Sequence, residues 1–269
     1  MTTTQHAPTR RAPAGSPSIF ERILVGVDGT PESLDACRQA ARLAEPQAVI
    51  EAAISLLYPP EAAAALGVRD VFDRLESTAG SALAAAAGIL GPDAELRRLQ
   101  GFTVDALLEE IERTRATLLA VGTHGHSRVE EIVFGGIGGE LLHQAPCAVL
   151  VARPVPDLGA FPRDVVVGID GSDGAERAFE VARTLATRRH STLKSVVAHG
   201  GKRVDLARIT RRHRRVEGLA EAPVPALVEA ASCADLLVVG SRGLHGIRAL
   251  GSVSERVAHQ AACSVLVVR

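Results

Sequence analysis

The first half of the chain alternates short apolar runs with longer segments whose apolar residues recur at helical spacing. The short runs predict strands and the periodic segments predict helices. The predicted strands are Ile23–Val27, Ala48–Leu57, Ala94–Leu99, Leu118–Val121 and Cys147–Val151. The predicted helices are Pro31–Leu43, Glu61–Leu90 (with an interruption expected near Gly80), Val104–Thr114 and Ile137–His143. This alternation predicts an α/β fold in which a doubly wound parallel sheet is covered by helices on both faces.

The second half of the chain repeats the first in three blocks. "ERILVGVDGTPES" at Glu21–Ser33 resembles "RDVVVGIDGSDGA" at Arg163–Ala175. Two further pairs follow in the same order, "TLLAVGTHG" with "DLLVVGSRG" and "HQAPCAVLVAR" with "HQAACSVLVVR". Because short apolar strings do not readily recur in one order by chance, the blocks predict two tandem domains.

The domain boundaries follow from composition. We expect a disordered polar tail at residues 1–18, a first domain at 19–153, a linker rich in Pro and Gly at 154–162 and a second domain at 163–269. The second domain is the shorter one. Between Val197 and Val224 the chain has room for one short basic helix and a weak strand, so we expect this domain to have lost most of its second helix.

Composition and charge exclude several classes of protein. The 30 basic residues nearly balance the 31 acidic ones, so no overall field attracts nucleic acid or an anionic membrane. No apolar run approaches the roughly 20 residues that span a bilayer, and the N-terminal stretch lacks the apolar core of a secretory signal. We therefore expect a cytoplasmic protein without a nucleic-acid or membrane partner.

The cysteines predict a reduced protein without a metal centre. The chain has four cysteines, none of them in a CxxC pair, and each has apolar neighbours in the sequence. We expect Cys37, Cys147, Cys233 and Cys263 to be reduced core residues rather than disulfide partners or metal ligands.

Polar residues and glycines cluster where two of the predicted strands end. Asp28 follows the first strand, and Gly122 and Gly125 follow the fourth. In open parallel sheets, ligands bind beyond the carboxyl ends of the strands, where the strand order reverses. Gly135 and Gly136 precede the next helix, whose unpaired N–H groups attract phosphate. Aspartate would repel phosphate but can accept hydrogen bonds from a base or sugar, so the pattern favours a nucleotide; a simple bend between strand and helix is the alternative.

Other chemistries fit the residues less well. A Walker A site needs a lysine after glycine, but the chain has only Lys194 and Lys202, and it lacks both the dinucleotide GxGxxG pattern and the hydrolase Gly-x-Ser-x-Gly elbow. A response-regulator receiver would also need a lysine that the first half does not have. His124 lies in the glycine-rich segment without further ligands for a metal, and His143 and His259 are expected to pack at the interface between the domains.

The repeated blocks resemble the universal stress protein family, and together they cover nearly the whole chain after the tail. The resemblance implies a five-stranded parallel sheet of order 3-2-1-4-5 with flanking helices in each domain. ATP-binding members of the family carry Gly, two residues, Gly, nine residues, and Gly followed by Ser or Thr. They contact the nucleotide through the aspartate after the first strand, a role that carries over to Asp28 and Asp170. The resemblance thus implies a site for ATP, with or without Mg²⁺.

The first domain keeps the family's spacing but lacks its hydroxyl group. Gly122, Gly125 and Gly135 have the spacing of the ATP-binding members, yet Gly136 stands where Ser or Thr is expected. His124 completes the candidate residues of this half, together with Asp28. We favour this domain as the ATP site, because loop length decides whether a triphosphate fits, whereas one neutral hydrogen bond contributes only about 0.5–1.5 kcal/mol.

The second domain departs from the pattern in the complementary way. Its candidate residues are Asp170, Gly240, Arg242, Gly243, Gly251 and Ser252. Ser252 keeps the hydroxyl group, but only seven residues separate Gly243 from Gly251. Arg242 takes the place of His124 and is the better phosphate partner.

The last predicted strands of the two domains suggest how the domains associate. Cys147–Arg153 and Cys263–Arg269 carry apolar residues to their ends. Such strands pair across a dimer in the family, so we expect an intrachain pseudo-dimer, which would remove two exposed sheet edges, and leave open a homodimer of whole chains.

The sequence therefore predicts a tandem universal stress protein that binds adenine nucleotide, with ATP favoured, and has a regulatory role in the stress response. The alternative is a nucleotide-free protein that acts through protein contacts. No residue stands out as a general base, so any ATPase activity would be weak.

Overall fold

The computed structural model describes residues 18–57, 69–123, 136–198, 216–241 and 252–269. The strands of the first half are β1 (Arg22–Gly26), β2 (Val49–Leu56), β3 (Glu95–Gln100), β4 (Leu118–Gly122) and β5 (Ala148–Ala152). Those of the second half are β6 (Asp164–Gly168), β7 (Thr192–Ala198), β8 (Val216–Leu219), β9 (Leu236–Gly240) and β10 (Ser264–Val268). The α-helices are α1 (Pro31–Leu43), α2 (Arg69–Leu90), α3 (Thr103–Thr114), α4 (Ile137–Gln144), α5 (Asp173–Arg189), α6 (Pro223–Ala230) and α7 (Ser252–Gln260).

The ten strands form one continuous sheet in the order β3-β2-β1-β4-β5-β10-β9-β6-β7-β8. Within each half the strands are parallel and follow the order 3-2-1-4-5, which confirms the doubly wound arrangement predicted for both domains. The halves meet where β5 pairs antiparallel with β10, with Leu150 opposite Leu266. The carboxyl ends of the strands therefore point in opposite directions on the two sides of this junction.

Helices cover both faces of the sheet, and each face has its own apolar core. On one face, α1, α2 and α5 pack against alternate strand residues, and the buried set includes Ala40, Ala82 and Ala182. On the other face, α3, α4, α6 and α7 do the same, and the buried set includes Leu107 and Leu142. Both cores run from one half into the other, because the sheet itself continues across the β5–β10 junction.

The predicted elements agree with the structure to within about one residue at most described ends. Helix α1 has the predicted bounds, since Thr30 caps its N-terminus and proline occupies its first position. The interruption expected at Gly80 is absent: α2 is one continuous helix of 22 residues. Two predicted segments lie outside the described residues. They are the part of the predicted helix Glu61–Leu90 before residue 69, and the short basic helix expected after Val197, up to residue 215. No helix within the described ranges is long and apolar enough to cross a membrane.

Three of the four cysteines are buried as expected, and one is not. Cys37, Cys147 and Cys263 lie in the cores with free thiols, and burial raises the pKa of Cys37 to about 12. Cys233 is exposed, so its assignment to the core was wrong. It lies in the turn after α6, beside Ser232, which is exposed as well, although Ala231 in the same turn is buried.

Two arginines connect the halves in a reciprocal manner. Arg153 follows β5 and is buried. It donates to the carbonyl oxygens of Ala258 (2.6 Å) and His259 (3.3 Å) at the end of α7 and of Cys263 (3.2 Å) just before β10. Arg269 follows β10 and donates to the Leu142 carbonyl of α4. The last residue of each repeat thus binds the last helix of the other.

A further contact between the halves joins α4 to α7. His143 Nε2 lies 3.1 Å from Glu255 Oε1. His259 lies beside these residues, and its pKa is lowered by burial, with Arg153 and His143 as further causes. Both histidines therefore lie at the contact between the halves, as their recurrence before the last strand of each repeat suggested.

Candidate functional site

The strand order reverses between β1 and β4, so their carboxyl ends open a crevice. The register pairs Val25 with Ala120, which places Asp28 and Thr123 each three residues beyond that pair. Parallel sheets bind ligands where the strand order reverses, because the chain segments that follow the two strands leave on opposite faces of the sheet. The structure thus brings Asp28 and Gly122 to the same edge of the first half. In the second half, β6 and β9 pair in the same way.

The turn after β1 holds Asp28 in a fixed position. Asp28 Oδ1 accepts hydrogen bonds from the Thr30 backbone N–H (2.9 Å) and the Thr30 hydroxyl (2.5 Å), and the Asp28 N–H donates to Ser33 Oγ. Gly29 has φ +84°, a conformation that favours glycine. Thr30 is also the N-cap of α1 and accepts from the Ser33 N–H. One short segment therefore orients the aspartate and starts the helix.

The second half repeats this turn with a more exposed aspartate. Asp170 Oδ1 accepts from the Ser172 N–H at 2.9 Å, Gly171 has φ +81°, and Ser172 caps α5. Asp28 is half-buried, whereas Asp170 is exposed. The sequence indicates the two aspartates and the glycines that follow them, but the helix-capping roles of Thr30 and Ser172 were not predicted. The recurrence of "DGT" and "DGS" was a signal that could have identified them as a turn and a helix cap.

Gly122 and Gly240 are required by the packing of the chain on itself. A Cβ atom at Gly122 would lie 2.5 Å from the Glu32 carbonyl carbon and 2.8 Å from the Ser33 nitrogen, in the first turn of α1. At Gly240 it would meet the backbone of Gly174 in α5 at least as closely. Close approach of a strand end to a helix thus accounts for both glycines, in addition to any role in admitting a ligand.

Helix α4 begins at the same edge of the sheet, and its N-cap residue has no side chain to bind the first N–H groups. This residue is Gly136, at φ +70° and ψ −114°. A Cβ atom at Gly136 would meet nothing within 4 Å, but the positive φ disfavours any residue with a side chain. Glycine rather than Ser or Thr at this position therefore agrees with the backbone, and the helix dipole still offers a site for an anion.

Part of the predicted site lies outside the described residues. These residues are His124, Gly125 and Gly135 in the first half, and Arg242, Gly243 and Gly251 in the second. Ser252 is the first residue of α7. The described part of each site is thus an aspartate turn, the glycine at a strand end and the start of a helix, and the intervening segments remain predictions.

The strongest pKa shifts occur away from this crevice. Glu51 lies near the start of β2 and is buried; its burial, followed by the neighbouring Glu110 carboxyl group, raises its pKa to about 7. The hydrogen bond from Arg113 is the main cause that lowers the pKa of Glu110 to about 2. Among the described residues, no group of three His, Cys, Asp or Glu side chains could hold a metal ion.

These features define a class of protein: a tandem, doubly wound α/β protein with a candidate ligand crevice in each half. The sequence model of the universal stress protein family matches residues 19–153 and 197–269. A universal stress protein of Mycolicibacterium smegmatis is 30% identical over 290 residues, covering 92% of this chain and 96% of its own. One from Mycobacterium tuberculosis is 28% identical with the same coverage. The chain belongs to the universal stress protein family.

Solved structures show the same fold over the length of the chain. A universal stress protein of Archaeoglobus fulgidus superposes with a TM-score of 0.72 at 21% sequence identity, covering 93% of this chain and 98% of its own. A structure described as a putative universal stress protein of Pseudomonas aeruginosa gives a TM-score of 0.65 at 16% identity, with 93% and 94% coverage. Both superpositions extend over the two halves of this chain, and they support the tandem arrangement of the fold.

Proposed function

We propose that this universal stress protein binds adenine nucleotide, with ATP favoured, in the crevice of its first half, and that nucleotide occupancy serves a regulatory role in the stress response. One observation carries the proposal: the reversal of strand order between β1 and β4 brings Asp28 and the start of the glycine-rich segment at Gly122 to one crevice. That segment has the glycine spacing of the ATP-binding members of the family.

The residues present are suited to the parts of a nucleotide. Both hydrogen bonds from Thr30 go to Asp28 Oδ1, so Oδ2 can accept one from a ribose hydroxyl or a base amine. The N-terminus of α4, where Gly136 provides no capping side chain, suits a phosphate, because its N–H groups and dipole favour negative charge. Mg²⁺ would be held mainly by the phosphates, since it usually keeps several waters and takes few protein ligands.

The first half is the stronger candidate. Its glycine-rich segment has the longer span, which the three phosphates need. Asp28 is half-buried, whereas Asp170 is exposed. A hydrogen bond to a half-buried carboxylate is weakened less by water than one to an exposed carboxylate.

Direct assay of nucleotide content tests the proposal. Purified protein is denatured, the supernatant is analysed for adenine nucleotide, and nucleotide-free protein is titrated with ATP by calorimetry. We expect stoichiometric binding to one half of the chain. If there is neither bound nucleotide nor heat on titration, the proposal is wrong and the alternative, a protein that acts through protein contacts, becomes the better hypothesis.

Paired variants assign the site to one half. Asp28→Asn keeps the Oδ1 acceptor of the turn but removes the charge, and we expect it to weaken ATP binding about tenfold, whereas Asp170→Asn leaves it unchanged. Gly125→Val is expected to abolish binding, and Gly243→Val to have little effect. The reverse result in both pairs would assign ATP to the second half.

A further inference from the structure

The two repeats provide an internal comparison of the surfaces where they meet. Thr30 and Ser172 are equivalent helix caps, so position 39 on α1 corresponds to position 181 on α5. Arg153 and Arg269 are equivalent ends of β5 and β10, so position 264 corresponds to position 148. The equivalent pairs of residues are therefore Gln39 with Ser264 at one place and Val181 with Ala148 at the other.

The first of these places is filled by a closed hydrogen-bond network. Gln39 Nε2 donates to the Arg153 carbonyl at 2.6 Å, and Ser264 Oγ donates to Gln39 Oε1 at 2.7 Å. The Arg153 N–H in turn donates to Ser264 Oγ at 3.0 Å. All three residues are buried. The network fixes α1 to the ends of the two central strands and fills the space between them.

The second place is an open cavity instead. Val181 and Ala148 have neither the length nor the polar atoms to build the equivalent network, and both line a cavity of about 660 Å³. Its wall is mostly apolar and includes Ile19, Phe20 and Pro146. Arg177, which donates to the Arg269 carbonyl at 3.0 Å, borders the same cavity. The two places therefore differ in residue type at both equivalent positions, 39 and 181 on the helices and 264 and 148 on the strands.

We propose that this cavity is a binding site for a small, uncharged, apolar molecule, separate from the nucleotide crevice. The volume lies within the usual range for small-molecule sites, which often occur between domains and have mostly apolar walls. The charged residues at its border are two arginines and two glutamates (Arg177, Arg269, Glu176 and Glu180). Because these charges balance, the border gives no field that would favour an ion, and the apolar wall would penalise one.

Two fluorescent probes with the same ring system test the class of ligand. N-phenyl-1-naphthylamine is uncharged, and 8-anilino-1-naphthalenesulfonate is its sulfonated relative; both fluoresce more strongly in apolar surroundings. We expect the uncharged probe to bind the full chain saturably, with one site per chain, and at least tenfold more tightly than the sulfonate. Absence of saturable binding, or equal affinity for the sulfonate, would overturn the proposal.

Variants locate the bound probe. Val181→Phe fills the cavity with an apolar ring, and the double change Ala148→Ser with Val181→Gln copies the network of the other half. We expect each to raise the dissociation constant of the uncharged probe at least tenfold. Thr187→Phe adds the same ring to an exposed position of α5 that does not line the cavity, and it should leave binding unchanged. Thermal melts of each variant, with and without probe, show which variants fold and whether the probe raises Tm.

Competition with ATP separates this site from the nucleotide crevice. We expect saturating ATP to leave the uncharged probe bound, and Asp28→Asn to leave its affinity unchanged. If ATP displaces the probe, or if none of the folded cavity variants weakens it, the probe binds elsewhere and the inference is wrong. The cavity variants test the inference whether or not ATP binds, whereas the competition experiment is interpreted only if the ATP titration shows binding.

Discussion

Glycine at position 122 is held against the backbone of α1, and this contact gives a prediction at the scale of a single residue. Gly122→Ala would place a methyl group 2.5 Å from the Glu32 carbonyl carbon and 2.7 Å from its oxygen. Backbone atoms cannot move aside as a flexible side chain can, so we expect the free energy of unfolding to fall by about 1–3 kcal/mol. Urea denaturation followed by circular dichroism measures the change.

A second glycine gives the matched control for this substitution. Gly88 lies within α2, and a Cβ atom there would meet nothing within 4 Å. Gly88→Ala should therefore leave stability unchanged or raise it by up to about 1 kcal/mol, because alanine has the higher helix propensity. Equal stability of Gly122→Ala and the unmodified chain would contradict the packing argument for the glycine at the strand end.

Several residue roles could not be predicted, because they depend on long-range contacts. The "DG" pair after each first strand identified Asp28 and Asp170, and the structure adds that Gly29 has a positive φ. The role of Arg153 could be assigned only from the fold, which places the end of α7 of the other repeat beside it. Likewise, nothing near Cys233 in the sequence distinguishes it from the three buried cysteines.

At the scale of elements, the sequence predicted α1 and the strands well because local signals mark their ends. Thr30 and Pro31 mark the start of α1, and the β-branched runs of β1 and β10 mark buried strands. The break expected at Gly80 did not occur, since one glycine in a long alanine-rich helix costs only about 1 kcal/mol and packing of α2 against the sheet outweighs it. Glycine alone is thus a weak signal for a helix end.

The contact between β2 and α3 predicts a pH dependence of stability. Glu51 of β2 is buried, and Arg113 Nη2 of α3 lies 3.4 Å from its Oε2. Among the described residues, the other carboxylate oxygen of Glu51, Oε1, has no hydrogen-bond partner when Glu51 is ionised. When Glu51 is protonated, it can share its proton with the neighbouring Glu110 carboxylate in a hydrogen bond. Arg97 also faces this cluster, 3.9 Å from Glu110. The arrangement favours a protonated Glu51 beside an ionised Glu110.

The sign of the effect follows from the raised pKa of Glu51. Its pKa rises from 4.5 to about 7 on folding, so the folded state binds the proton more strongly, and the resulting stability is lost as the pH rises from 4.5 to 7. Glu51→Gln cannot ionise and should be the more stable form at pH 8, by roughly 1–3 kcal/mol. Urea denaturation of both proteins between pH 5 and pH 8 tests this, because all other titrating groups are shared. If the free energy of unfolding changed with pH in the same way in both proteins, the prediction for Glu51 would be wrong.

At the scale of the whole molecule, pairing of β5 with β10 makes one sheet of the two repeats. The sheet ends in short outer strands, and β3 carries Glu95, Arg97 and Arg98, charges that disfavour edge-to-edge association. The two large apolar cores both cross the junction, so neither of them belongs to one half alone. We therefore expect the described fold to unfold cooperatively rather than one half at a time.

Arg153 is the residue through which this cooperativity can be tested. Arg153→Met keeps much of the apolar stem but removes the hydrogen-bond donor to three carbonyl oxygens in and just after α7. We expect it to lower the free energy of unfolding by about 2–4 kcal/mol. Arg269→Met, its counterpart, removes a donor to one carbonyl of α4 from a less buried position and should cost less. Urea denaturation monitored by circular dichroism should show a single transition in both variants, displaced further for Arg153→Met. Equal losses would contradict the larger role assigned to Arg153, and a second transition in either variant would mean that the two halves can unfold separately.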